Sequence, residues 1–150
     1  PFIILLICLI PLSRAIVGTS IGVAGAIVPL VFGTVPFFSR QVESALAEVN
    51  PGLIEAAEAM GCSRTGIIFR VYLKESIPAL ARGVTITLIN LIGLTAMAGA
   101  VGAGGLGNFA YVQGSQRNMN DIIYSTVVVL VVIVTLIQII GNLVSKKSTH

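Results

Sequence analysis

Four apolar runs, separated by polar segments, dominate the pattern of the chain: residues 2–12, 16–38, 84–101 and 122–144. A helix needs about 20 apolar residues to cross a bilayer core of roughly 30 Å, so the last three runs can span it. The first run is too short, and only Pro1 precedes it. We interpret it as the remainder of a helix that starts upstream. The pattern predicts three complete membrane spans and one partial span.

The polar segment at residues 50–78 has the pattern of two short helices. Asn50 precedes a proline and is disfavoured in the α region, whereas Pro51 suits the first turn of a new helix. A helix over residues 53–60 follows, and Gly61 supplies a stop. Ser63 can then cap a second helix with an apolar stripe. The segment therefore predicts two short helices that meet at a glycine.

Composition agrees with a membrane protein. The chain is 55% hydrophobic and only 10% charged, and its mean hydropathy is +0.99, well above an ordinary soluble domain. The net charge of +3 does not indicate nucleic acid, because the basic residues are spread thinly instead of being clustered with aromatic side chains. Membrane lipid explains them better.

Lys and Arg are distributed unevenly between the loops, and cytoplasmic loops carry the excess of such residues. The loop between the first and second runs has Arg14 as its only basic residue, and the loop between the third and fourth runs has only Arg117. The C-terminal tail holds Lys146 and Lys147. The central segment carries Arg40, Arg64, Arg70, Lys74 and Arg82. We therefore expect the central segment and the C-terminus to be cytoplasmic.

The spans contain no Asp, Glu, His, Lys or Arg, which argues against an intramembrane enzyme because such a site needs ionisable or metal-binding groups. We predict a non-catalytic chain without a bound metal. An autonomous secondary carrier stays open on composition alone, although it would usually carry a charged coupling site within the membrane.

Polar and soft side chains mark the third span. Asn90 and Thr95 are costly in lipid, so they are candidates for a transport pathway, although hydrogen bonding between packed helices is the simpler explanation. Met97 is the candidate gate, because its flexible thioether can close a narrow passage. A glycine-rich stretch at 102–107 fits G-x-G-x-x-G, but it follows a membrane helix and not a strand. It predicts a turn on the outer side.

A family resemblance rests on the spacing within the central segment. Glu55-Ala56-Ala57, then three residues, Gly61, nine residues, Val71 and Leu73 resemble the coupling loop of bacterial ATP-binding-cassette importer permeases. An ordinary helical hairpin is the alternative. Further segments, such as 1–6, 17–22 and 99–107, look like permeases of methionine importers, and the resemblance covers essentially the whole chain.

The resemblance implies an all-α, polytopic transmembrane helical bundle of the importer permease fold, with a cytoplasmic coupling helix pair. Such subunits have five helices, so this chain would lack the first and part of the second. The implied residues that couple to the ATPase are Glu55, Ala56, Ala57, Glu58, Gly61, Leu73 and Pro78. The implied function is transport of methionine. A permease for another amino acid or small solute, or less readily a secondary carrier, is the alternative.

The same resemblance implies partners. These are an ATP-binding subunit that hydrolyses ATP, a second permease copy forming a homodimer, and a periplasmic or lipid-anchored substrate-binding protein. The chain itself would bind no cofactor and would lie in the bacterial inner membrane. Tyr111, Gln113 and Arg117, on the outer side, are candidate contacts for the binding protein.

One residue departs from the resembled pattern. Lys74 stands where the family places a proline, and the nearest proline is Pro78. A proline removes a helix hydrogen bond, so we expect Pro78 to keep a helix-breaking position near the return to the membrane. The path between the second coupling helix and the next span stays open.

Overall fold

The computed structural model describes residues 2–117 and 119–147, and these residues form helices joined by short turns. The α-helices are α1 (Phe2–Cys8), α2 (Ile10–Val17), α3 (Gly22–Ala47), α4 (Pro51–Ala59), α5 (Arg64–Ile67), α6 (Leu73–Ala98), α7 (Gly105–Phe109) and α8 (Asn120–Lys147). Three π-helical segments complete the order: Ile68–Tyr72, Gly99–Ala103 and Ala110–Gln116.

Three of the helical stretches have the length and composition of membrane spans. They are Gly22–Ala47, Arg64–Ala103 and Asn120–Lys147, with mean hydropathies of 1.7, 1.9 and 2.8. Only 22%, 22% and 6% of their most apolar windows are buried within the chain. Apolar surface of this extent needs lipid or another subunit around it. The all-α membrane fold with three complete spans is confirmed.

A turn interrupts the apolar sequence that precedes α3. Helix α2 ends at Val17 with Gly18 at φ +79°, and Gly22, at φ +77°, is the first residue of α3. Both angles lie in the left-handed region that glycine adopts without a steric penalty. The run that begins at Ile16 is therefore divided between two helices, which hydropathy alone does not reveal.

The chain divides into two compact units, and the first comprises the residues up to Pro36 together with Leu88–Ile137. Its core is formed by Phe2, Ala26 and Ala98. The buried Ser13 hydroxyl donates to the Gly25 carbonyl over 2.8 Å. This bond fixes α2 to α3 and satisfies a polar group that would be costly to leave unpaired away from water.

The second unit comprises Phe37–Thr87 and the described residues from Gln138 onward. Its helices approach closely at two glycines. A Cβ added to Gly83 would lie 3.2 Å from the Cβ of Gln41, and one added to Gly141 would collide with the Thr85 side chain. Small residues of this kind let helix backbones pack tightly. The second unit therefore joins α3 to α6 and α6 to α8.

Helix α6 continues through Pro78, which differs from the expected break. The prolyl nitrogen cannot donate to the carbonyl four residues earlier, but the bonds on either side keep the helix intact. Lys74 has a backbone N–H and a good helix propensity. Without a proline at position 74, the helical path runs from Arg64 to Ala103.

Candidate functional site

Helix α4, the first of the two predicted coupling helices, begins at a side-chain cap. The Asn50 side-chain oxygen accepts a 2.9 Å hydrogen bond from the Gly52 amide, and Asn50 itself is extended at φ −63° and ψ 121°. Pro51 is the first residue of α4, where its missing N–H is not needed by the helix. The cap gives α4 a defined starting point.

The end of α4 is a left-handed glycine turn. Gly61 has φ +77°, and its amide donates to the Glu58 carbonyl at 2.9 Å. The Cys62 amide donates to the Ala57 carbonyl at 3.1 Å. These two bonds are the Schellman pattern that closes a helix C-terminus. Apart from Gly61 and its two chain neighbours, no described residue has a heavy atom within 4 Å of a Cβ added to Gly61. The backbone angle, not a shortage of space, therefore requires glycine here.

The second short helix begins immediately after the turn. The Ser63 hydroxyl accepts from the Gly66 amide at 3.2 Å, which caps α5 as predicted. Helix α5 then passes into the π-helical segment Ile68–Tyr72. A π-helical turn is rare and often lies at a functional site.

Three of the predicted coupling residues share the exposed surface of α4. Glu55, Ala56 and Glu58 are exposed. Ala57 is only 3% exposed, because α4 packs against α5 and the following π-helical segment. Ala57 therefore packs within its own chain, and the coupling role predicted for it stays a prediction.

Leu73 and Pro78 lie on α6, beyond the π-helical segment. Leu73 is 39% exposed, whereas Pro78 is partly buried. The Pro78 carbonyl accepts a 3.1 Å hydrogen bond from the Ser145 hydroxyl of α8. Pro78 therefore joins two helices, which is a structural contact that sequence spacing did not indicate.

An ion pair joins the two flanks of the predicted coupling segment, residues 50–78. An Arg82 guanidinium nitrogen lies 2.9 Å from a Glu48 carboxylate oxygen. Glu48 directly follows α3, and Arg82 lies on α6. Long side chains on a helix lean toward its N-terminus, so the Arg82 side chain leans toward the start of α6. The two residues are 34 positions apart, so no local pattern could have paired them.

The predicted pathway residues do not form one site. A cavity of about 360 Å³ in the first unit is lined by apolar and glycine residues together with Thr95. The Thr95 hydroxyl already donates to the Ile92 carbonyl at 2.8 Å. Asn90 and Met97 are not among the lining residues, and Met97 is 51% exposed. Because a zwitterion needs polar partners, this apolar wall does not suit an amino acid's charged end.

The glycine-rich stretch turns the chain, as predicted. Gly102 and Gly104 have φ of +103° and +89°. A Cβ on Gly99 would lie 2.6 Å from the Gly104 carbonyl oxygen, and one on Gly107 would collide with the Ala96 backbone. Among the described residues, no group of His, Cys, Asp or Glu side chains could hold a metal ion.

Residues 1–149 match the family described as binding-protein-dependent transport system inner membrane component. The chain belongs to this family. Its members are inner-membrane transport subunits, which agrees with the three membrane-length helices and with the importer permease fold.

Individual relatives are similar over nearly the whole chain. The methionine import system permease protein MetP of Bacillus subtilis is 50% identical over 97% of this chain and 66% of its own length. The probable D-methionine transport system permease protein MetI of Pasteurella multocida is 48% identical over 100% of this chain and 69% of its own. The chain thus spans about two thirds of the length of these relatives.

A solved structure extends the similarity to the backbone. An inward-facing crystal form of the MetNI methionine ABC transporter contains a chain that matches with a TM-score of 0.94 at 49% identity. The match covers 100% of this chain and 69% of that chain. The permease fold that the sequence resemblance implied is confirmed.

Proposed function

We propose that this permease chain is the membrane-spanning part of an ATP-driven methionine importer. The observation that carries the proposal is the exposed α4 surface, capped by Asn50 and closed by Gly61, in a chain with named methionine permease relatives. The Asn50 cap and the Gly61 turn fix the two ends of α4, so that its exposed surface can dock on a partner as a rigid helix. The relatives supply the substrate class. Any activity in the chain is then mechanical, because ATP is hydrolysed by a separate subunit.

In the proposed mechanism, α4 transmits force from the ATP-binding subunit to the membrane helices. Closure of an ATP-binding subunit around ATP shifts the exposed Glu55, Ala56 and Glu58, and the permease changes between inward-open and outward-open states. A second permease copy would complete the translocation path. A periplasmic or lipid-anchored binding protein would deliver substrate from the outer side, and the coupling segment and C-terminus would be cytoplasmic.

Gly61→Trp tests the coupling surface. With the partner ATP-binding subunit and binding protein present, we expect methionine uptake in vesicles to fall by about tenfold or more, which corresponds to a loss of at least about 1.4 kcal/mol of coupling. ATP hydrolysis should become independent of the binding protein. Radiolabelled uptake and phosphate release measure the two effects.

Gly61→Asn is the matched control, because asparagine tolerates the left-handed conformation better than other side chains. It should preserve the turn and keep a larger share of uptake than the tryptophan variant. If Gly61→Trp leaves both transport and complex assembly intact, the coupling proposal is wrong.

A permease for another amino acid is the second candidate, because fold similarity does not fix the substrate. Competition of methionine uptake by other amino acids separates the two. Uptake by the permease alone under an ion gradient would instead favour a secondary carrier.

A further inference from the structure

Three prolines lie inside the long membrane helices. Pro29 and Pro36 lie in α3, and Pro78 lies in α6. Proline has no N–H, so each of them leaves the carbonyl four residues earlier without its usual helix donor. A helix bends most readily at such a residue, unless a side chain from elsewhere holds the backbone there. The surroundings of each proline therefore decide how easily its helix bends.

Two of the prolines are tied to a neighbouring helix by a serine. Pro29 leaves the Gly25 carbonyl without a helix donor, and the Ser13 hydroxyl of α2 donates to that carbonyl over 2.8 Å. Both Ser13 and Pro29 are less than 2% exposed. The Pro78 carbonyl accepts from the Ser145 hydroxyl of α8 over 3.1 Å. These bonds fasten the helix at Pro29 and at Pro78.

Pro36 has no such tie. It leaves the Phe32 carbonyl without a helix donor, and within the described part of the chain no side chain donates a hydrogen bond to that carbonyl. The stretches of α3 on either side are held by separate contacts. Before Pro36, Ala26 lies in the core of the first unit. After it, Gln41 lies close to Gly83 in the second unit. Bending of α3 is therefore least opposed at Pro36.

Thr34, two residues before Pro36, carries an unpaired hydroxyl. Its oxygen is buried and has no hydrogen-bond partner among the described residues. A threonine within a helix commonly donates to the carbonyl three or four residues earlier. Five threonines of α6 and α8 do so: Thr85, Thr87, Thr95, Thr126 and Thr135. A buried hydroxyl without a partner is costly, so the described conformation is destabilised at Thr34 relative to one that pairs this hydroxyl.

We propose that α3 changes its bend at Pro36 during transport, and that the Thr34 hydroxyl then donates to the carbonyl of Leu30. The described conformation matches a permease chain from an inward-facing crystal form. The hydroxyl is thus unpaired in the inward-facing state and bonded in the outward-facing state, which favours leaving the inward-facing state. Thr34 and Pro36 are positioning residues. The proposal rests on the proposed function, because transport supplies the two states.

Thr34→Val tests the hydroxyl, because valine has nearly the same shape and cannot donate. The complete permease is assembled with its own ATP-binding subunit in lipid nanodiscs, and binding of a non-hydrolysable ATP analogue is measured. In the proposed mechanism, closure around nucleotide requires the permease to leave the inward-facing state. A variant that favours the inward-facing state therefore weakens the apparent affinity. We expect the dissociation constant to rise about fivefold, the effect of one lost hydrogen bond.

Thr34→Ser is the matched control, because serine keeps a hydroxyl at the same position. It should bind the analogue within about twofold of the unmodified complex. Thr135→Val removes a hydroxyl from α8 that is bonded to the Val131 carbonyl at 2.7 Å, and it should also stay within about twofold. A purely structural role of Thr34 would lower the unfolding temperature of Thr34→Val without changing its nucleotide affinity.

Pro36→Ala tests the bend itself. Alanine restores the N–H that bonds the Phe32 carbonyl and favours a straight helix. With the binding protein present, methionine uptake by vesicles should fall about fivefold or more, while the ATP-binding subunit stays bound. Pro29→Ala is the matched control. Because Ser13 already bonds the Gly25 carbonyl, uptake by this variant should stay within about twofold of the unmodified complex.

Three outcomes overturn the proposal: an unchanged nucleotide affinity in Thr34→Val, an equal loss in Thr34→Ser, or equal uptake by the Pro36→Ala and Pro29→Ala variants. If Pro36→Ala does not assemble, the two Thr34 variants decide, because they leave the backbone donors unchanged. If the unmodified complex takes up methionine and Gly61→Trp uncouples it, the proposed function stands whatever the α3 variants show. Absence of uptake by the unmodified complex would instead contradict the proposed function.

Discussion

Single residues define the predicted coupling segment through backbone angle and charge. Gly61 was predicted as a helix stop, and its φ of +77° confirms that role, but the space around it is open. The pairing of Arg82 with Glu48, in contrast, could not be predicted from the sequence. Their pairing depends on the tertiary path of α3 and α6, so the sequence marks them only as surface charges. Local geometry is readable from sequence, whereas contacts across 34 positions are not.

The Arg82–Glu48 pair gives a prediction at this scale. Arg82→Glu and Glu48→Arg should each lower the free energy of unfolding by up to about 1 kcal/mol, because like charges then face each other. The effect is small because the side chains are 56% and 62% exposed, and solvent screens them. Thermal unfolding in detergent measures the change. The double variant, which exchanges the two charges, should recover at least half of the loss, and absence of any recovery would show that the pair does not contribute.

At the scale of elements, the Ser63 cap was predicted, the Asn50 cap was not, and the continuity of the helices was predicted poorly. Asn50 and Ser63 hold the side-chain hydrogen bonds expected of N-caps, because capping depends on residues close in sequence. The turn between α2 and α3 was missed, since Gly18 and Gly22 lie within an apolar run. Helix α6 passes Pro78, because the neighbouring hydrogen bonds outweigh the one that proline removes.

Asn50→Ala tests the cap of α4. The Gly52 amide would lose its acceptor, which costs about 1 kcal/mol at a helix N-terminus. We expect amide hydrogen exchange in α4 to become about fivefold faster, since local opening follows this free energy. Asn142→Ala, at an exposed position inside α8, should leave exchange in α4 unchanged. Equal exchange in the Asn50 variant and the unmodified protein would contradict the assigned cap.

At the scale of the whole molecule, hydropathy predicted the number of spans and the resemblance implied the permease fold. Both are confirmed by the three membrane-length helices and by the match to the MetNI transporter chain. The transport path stays a prediction, because Asn90, Thr95 and Met97 were chosen for side-chain type alone. Of these three residues, only Thr95 is among those that line the apolar cavity. Which side chains share a cavity depends on helix rotation, which hydropathy does not encode.

The proposed orientation can be tested with the cysteines of the chain. Cys62 is exposed next to the Gly61 turn, so in a Cys8→Ser background a membrane-impermeant maleimide should label it in inverted vesicles but not in intact spheroplasts. Ser115→Cys in a cysteine-free background is the matched control, because Ser115 is exposed in the segment predicted to lie outside. It should show the opposite pattern. Labelling of Cys62 in intact spheroplasts would reverse the proposed topology.

The exposed surface of α8 also bears on how the protein is made. With a mean hydropathy of 2.8 and only 6% of its apolar window buried, α8 gains most of its stability from the bilayer and from its own backbone hydrogen bonds. It can therefore enter the membrane during synthesis before it finds its neighbours. Packing at Gly141 then becomes a late step of biogenesis, separate from insertion.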